Sequence, residues 1–255
     1  MKHTNFKLTI MLLAGFILVG CSQRTEPTSQ SSADESSLAT EASPSTVVSP
    51  SSVPQATEST QTTSQAFEVT YFTPAQGEGP YFPLEIPKDH DNDLTNIEGV
   101  EGFPNGEVIE FSGIVYDANG TPIPEVLIEI WQTDSNGVYL HPGDPGTCQR
   151  DPNFQFYGEV VTNENGGYSF RTILPGRYEP RPRHIHVKIK YQSEVLLTTQ
   201  FYFEGDAELE DEAMFTQVGG EGQHLIISLE EGSDADGNLI WIGQRNIVLD
   251  ISLTE

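Results

Sequence analysis

From Phe67 onward the chain is written in short stretches where apolar and polar residues alternate, each closed by turn residues. Val126, Ile128 and Ile130 alternate into Trp131, and Ile185, Val187 and Ile189 do so again. A period of two sends successive side chains to opposite faces of a strand, whereas an amphipathic helix repeats near 3.6. Phe111–Asp117 runs into Ala118-Asn119-Gly120, and Gly158–Val161 into Asn163-Glu164-Asn165-Gly166-Gly167, then Tyr168–Ile173. Further strands are expected at Leu196–Phe203, Leu225–Leu229 and Ile247–Leu253, with one short helix near Ala207–Met214. Many short strands, frequent turns and no alternation with long helices predict an all-β sandwich over residues 67–255.

The residues before Phe67 read differently. Lys2, His3 and Lys7 precede an apolar run, Leu8 to Gly20, too short to span a bilayer and suited to the core of an export signal. The run ends Leu18-Val19-Gly20-Cys21, a pattern that resembles a bacterial lipobox, so residues 1–20 are expected to be removed and Cys21 lipidated. Residues 21–66 are then a tether rich in Ser, Thr and Pro, with too little apolar surface to offset chain entropy. The expected location is outside the cytoplasm, on the bacterial membrane or cell surface, attached by lipid alone. With Cys21 acylated, Cys148 would be the one remaining thiol and an ordinary loop residue without a disulfide.

The formal charge is −26, and removal of residues 1–20 would take away two lysines more. Such a surface repels phosphate, which excludes nucleic acid and anionic lipid as electrostatic partners.

His184-Ile185-His186 is the feature most suited to chemistry. On a strand both imidazoles face one way, with Cα atoms about 6.6 Å apart, while Ile185 enters the core. Taken alone, the pair could equally be polar residues on an open face. Tyr178 and Arg181 lie just upstream, however, and Tyr139 follows the Trp131 strand.

With this set the sequence resembles the intradiol ring-cleavage dioxygenases. The resemblance is carried in order by Gly79-Pro80-Tyr81-Phe82-Pro83, Gly113–Asp117, Trp131-Gln132-Thr133-Asp134, Gly137-Val138-Tyr139, Asp151–Phe154, Gly167–Gly176, Arg181–His186 and Thr199–Asp206. It implies a non-haem iron(III) ligated by Tyr139, Tyr178, His184 and His186, with Tyr178 and His186 axial. It implies a catechol and dioxygen as substrates and a cis,cis-muconate-type diacid as product. Tyr178 would leave the metal and take a substrate proton, Arg181 would stabilise negative charge on the ring, and Gln200 would support Arg181 or the substrate. Two phenolates are hard anionic donors that suit iron(III). The interval from Tyr178 to Arg181 is shorter than in the larger enzymes of the family, so the wall there must be built differently. The acidity of the domain makes carboxylated catechols less attractive at long range.

Two other classes compete: a surface-displayed β-sandwich binding module, and a lipoprotein that captures copper or zinc through the His pair. Paired tyrosines and Arg181 suit neither, since those metals favour imidazole and thiolate.

Overall fold

The computed structural model describes residues 67–252; the signal, the Cys21 lipidation and most of the tether expected from the sequence lie outside them. Ten strands build two sheets. β1 (Val108–Tyr116), β4 (Gly167–Ile173), β8 (Leu229–Ser233), β9 (Leu239–Gln244) and β10 (Ile247–Val248) form one. β1 pairs antiparallel with β4 on one side, and parallel with β9 and then β10 on the other. The second sheet has the order β3 (Tyr157–Val161), β2 (Leu127–Trp131), β5 (His184–Tyr191), β6 (Glu194–Phe203), β7 (Ile226–Ile227).

The alternation read from the sequence decides which face meets which. Ile128 and Ile130 of β2, Ile185, Val187 and Ile189 of β5, and Phe201 of β6 are fully buried beside Ile109 and Phe111 of β1 and Phe170 of β4. Each such side chain contributes about 1.5–3 kcal/mol of transfer free energy, so register is strongly held. The opposite set on β5, from His184 through His186 and Lys188 to Lys190, must then lie on the outer face of the second sheet. Residues 74–82 cross that face. Gln76 N–H donates to Thr198 O (2.9 Å) and Gln200 Nε2 to Gly77 O (2.8 Å).

Three elements differ from expectation. The short helix is displaced: a 3₁₀ turn at Leu209–Asp211 precedes α1 (Ala213–Gln217), because the Glu212 side chain caps Met214 N and starts the helix there. The expected strand at Ile247–Leu253 pairs only through Val248. The strand expected at Leu225–Leu229 is split between β7 and β8, and β9 was not foreseen: Leu239 and Ile242 are exposed while Ile240 is buried, so its apolar residues lie on both faces and show no alternation. Cys148 is half-buried in the loop after Pro142, and the expectation for it turns on Cys21, which lies outside the described residues.

Candidate metal centre

The two histidines are placed by the sheet. His186 is opposite Trp131 of β2 and Gln200 of β6, and His184 is opposite Tyr202. The Trp131 indole stacks on the His186 ring, with centroids 4.6 Å apart and planes within 8°. From the other side residues 74–82 close down: a side chain at Gly79, where φ is +74°, would come within 3.3 Å of His186 Cε1. His184 Nδ1–H donates to Pro182 O (2.7 Å), which leaves the Nε2 lone pair pointing inward.

The tyrosines come from two loops locked together by glycines. Gly137 sits at φ +77°, and a Cβ there would lie 2.0 Å from Arg177 O. A Cβ on Gly176 would lie 2.3 Å from Gly137 N, and Gly176 N–H donates to Asp134 O (2.8 Å). No side chain fits at either position, so the loops carrying Tyr139 and Tyr178 touch through their backbones. Buried Asp134 organises the first loop by accepting from Asn136 N, Val138 N and Asp151 N. Arg150 clamps it from behind, donating to Tyr139 O and His141 O, each at 2.7 Å.

Tyr139 Oη lies 2.8 Å from His184 Nε2 and 3.0 Å from His186 Nε2, and all three residues are buried. Tyr178 packs edge-on against Tyr139, with centroids 5.8 Å apart. Its hydroxyl, however, pairs with Tyr81 Oη at 2.8 Å. Three of the four expected ligand atoms therefore converge, and the fourth residue stands beside them with its oxygen held by Tyr81. Tyr81 was present in the Gly79–Pro83 motif, but its pairing with Tyr178 spans 97 residues and no local signal announces it.

Arg181 precedes β5. Its N–H donates to Tyr178 O in a turn, and that bend lets a side chain three residues before His184 reach the same face. Its guanidinium donates to Gln200 Oε1 (2.8 Å) and lies 3.3 Å from His184 Nε2. Gln200 thus contacts Arg181 directly. What the sequence did not disclose is Glu212, whose Oε1 accepts from Arg181 NH2 at 2.8 Å and Nε at 3.1 Å. Arg181 is not an unpaired cation.

The electrostatics favour a cation at the convergence point. Burial lowers the His184 pKa to about 3 and holds His186 well below the imidazole range, each helped by the positive charge of Arg181, so both rings are neutral. Two Nε2 atoms face the Tyr139 phenol oxygen, Arg181 NH1 reaches His184 Nε2 as well, and His186 Nδ1 is left buried with no hydrogen-bond partner. Burial also drives the Tyr139 phenol well above its ordinary pKa. A metal ion would satisfy both nitrogen lone pairs and reverse the penalty on the phenolate. Among the described residues no group of three or more His, Cys, Asp or Glu is placed to hold a metal. A metal here would therefore take tyrosine oxygen among its ligands, and the residues present fit ferric iron better than zinc or copper.

Fold and site together define a β-sandwich that gathers phenol and imidazole donors on one sheet face. A family model described as dioxygenase matches residues 77–251, and the chain belongs to this family, among the intradiol ring-cleavage dioxygenases. It is 37% identical over 147 residues to the protocatechuate 3,4-dioxygenase beta chain of Burkholderia cepacia, covering 54% of this chain and 62% of that one. It is 31% identical over 172 residues to catechol 1,2-dioxygenase of Acinetobacter baylyi, covering 59% and 53%. The chain thus spans about half to three-fifths of these curated relatives. The solved dioxygenase domain of a carbohydrate-binding fusion protein from Streptomyces sp. SirexAA-E is 32% identical, with a TM-score of 0.54 over 71% of this chain and 100% of that one.

Proposed function

We propose that this protein uses ferric iron held by Tyr139, Tyr178, His184 and His186 to cleave a catechol with dioxygen between its two hydroxyl-bearing carbons. The observation that carries the reading is the meeting of Tyr139 Oη and two neutral Nε2 atoms within 3.0 Å in a buried position, beside a His186 Nδ1 that has no hydrogen-bond partner. Iron(III) held by these residues would supply Lewis acidity, which favours phenolate over phenol and makes a catechol reactive toward oxygen.

The protein's own residues prepare the rest. Tyr178, a phenolate while it held the iron, would take up a catechol proton on leaving it, and Tyr81 Oη, 2.8 Å away, would hold the resulting phenol. Arg181 presents its guanidinium where negative charge would develop on the ring. Residues 76–82 keep water from the His186 side. By the same reading the domain is exported and carried on a lipid at Cys21, the protein acting outside the cytoplasm on small phenolic molecules.

The test is colour with turnover. Purified protein given ferrous salt in air should develop the visible absorption of ferric tyrosinate and convert catechol to a ring-opened diacid. The His184→Ala variant should lose iron, colour and turnover together. An iron-free variant that still opened the ring, or a wild type that stayed colourless with bound iron, would refute the assignment.

A further inference from the structure

Each cation near the donor cluster is already matched by a carboxylate or saturated by carbonyls. Arg181 is paired with Glu212 at 2.8 Å. Lys188 is paired with Glu78 at 2.7 Å and lies over the Phe82 ring. Arg177 is held by Asp206 and Glu208, and Asp206 also faces Arg183 at 3.9 Å. Arg150 directs its donors to two backbone carbonyls behind the Tyr139 loop. Against these, Asp144 accepts only from backbone N–H groups, at Tyr139 and Gly146, and adds an unneutralised negative charge.

Glu212 differs from the other carboxylates in depth and placement. It is 8% exposed, its Oε1 accepts from two nitrogens of Arg181 and from Met214 N, and the start of α1 fixes it there. Arg181 is in turn the only one of these cations within hydrogen-bonding reach of a proposed ligand side chain, with NH1 3.3 Å from His184 Nε2. A buried carboxylate directly behind that guanidinium cancels its charge at longer range, while NH1, turned toward His184 Nε2, still acts at short range. A substrate bearing its own carboxylate would find Arg181, the cation beside the ligand side chains, already matched by Glu212, and the desolvation cost would go uncompensated there.

We propose that Glu212 is a specificity-determining residue, which restricts the site to catechols without a ring carboxylate. The inference rests on the ring-cleavage reading above and names its substrate class: uncharged catechols, alkylated or unsubstituted.

Two probes of similar size separate charge from shape: 4-methylcatechol and 3,4-dihydroxybenzoate. The iron-loaded full chain is titrated with each under nitrogen, and binding is followed in the visible band. We expect the wild type to bind 4-methylcatechol about tenfold or more tightly than 3,4-dihydroxybenzoate. Glu212→Gln preserves an acceptor for Arg181 but removes the charge, and should narrow that ratio by about tenfold, chiefly through tighter binding of the carboxylate. Glu212→Asp, which keeps the charge, should retain the wild-type preference and guards against a Gln variant that fails to fold. Equal or tighter wild-type binding of 3,4-dihydroxybenzoate overturns the proposal, as does a red, folded Gln variant with an unchanged ratio. Oxygen is then admitted. A wild type that binds with the expected preference yet opens neither ring refutes ring cleavage and leaves the selectivity role of Glu212 standing. One that opens both probes with equal kcat/KM refutes the role of Glu212 and leaves ring cleavage intact.

Discussion

Arg181 and its partners give the sharpest test at the scale of single residues. Removing the guanidinium alone leaves Glu212 a buried carboxylate without its partner, a loss of about 3–5 kcal/mol. Arg181→Ala should therefore melt earlier and turn over at least about 10²-fold more slowly while keeping iron and colour. Adding Glu212→Gln to it should restore the melting temperature but not the rate. If the double variant recovers both, Arg181 serves stability only. A second expectation concerns pH. In the folded, iron-free domain the pKa of His184 is about 3 and that of His186 is well below the ordinary value, whereas unfolded histidine titrates near ~6.5. Below that pH the unfolded chain binds protons that the folded one refuses. Stability should then fall as pH drops, by up to about 1.4 kcal/mol per pH unit for each histidine. Thermal melts of iron-free protein between pH 7 and 5.5 measure this, and His186→Gln should flatten the slope; identical melts across that range would show the rings to be solvated.

At the scale of elements, the strand-borne half of the site was legible in the sequence and the loop-borne half was not. His184 and His186 share a face because strand alternation is a local property, visible in five residues from Ile185 to Ile189. The pairing of Tyr81 with Tyr178 and of Arg181 with Glu212 depends on irregular segments meeting across 97 and 31 positions, for which no periodicity exists. The resemblance supplied Tyr139 and Tyr178 as candidates but could not say that Tyr81 would hold the second hydroxyl. The glycines were legible only as turn residues. Their other role, letting the Tyr139 and Tyr178 loops touch, appears once Gly137 and Gly176 are seen backbone to backbone. Gly176→Ala would set a methyl 2.3 Å from Gly137 N and 2.6 Å from Ser135 O, forcing the loops apart at a cost of about 1–3 kcal/mol. We expect a lower melting temperature and a shifted or weakened visible band in the iron-loaded form; an unchanged spectrum would mean that the loops are not coupled.

For the whole molecule, composition separates what does chemistry from what carries it. The family match begins at residue 77, and residues 22–66 contain no alternating apolar pattern. A chain starting at residue 67 should turn over a soluble catechol at nearly the parent rate, and should no longer sediment with membranes when produced in cells with its export signal replaced. A large loss of soluble activity would show that the segment belongs to the catalytic unit.

The placement of imidazoles on a strand and phenols on loops also bears on how the molecule is assembled. His184 and His186 face one way as soon as β5 finds β2 and β6, and that event is driven by apolar burial on the opposite face and needs no metal. Tyr139 and Tyr178 are placed by two loops that interlock at Gly137 and Gly176, and we expect that docking to follow the sheet. Iron offered during refolding should therefore be captured in two kinetic phases. A pale nitrogen-ligated species should come first, and the red colour of phenolate ligation should follow at the rate of loop docking.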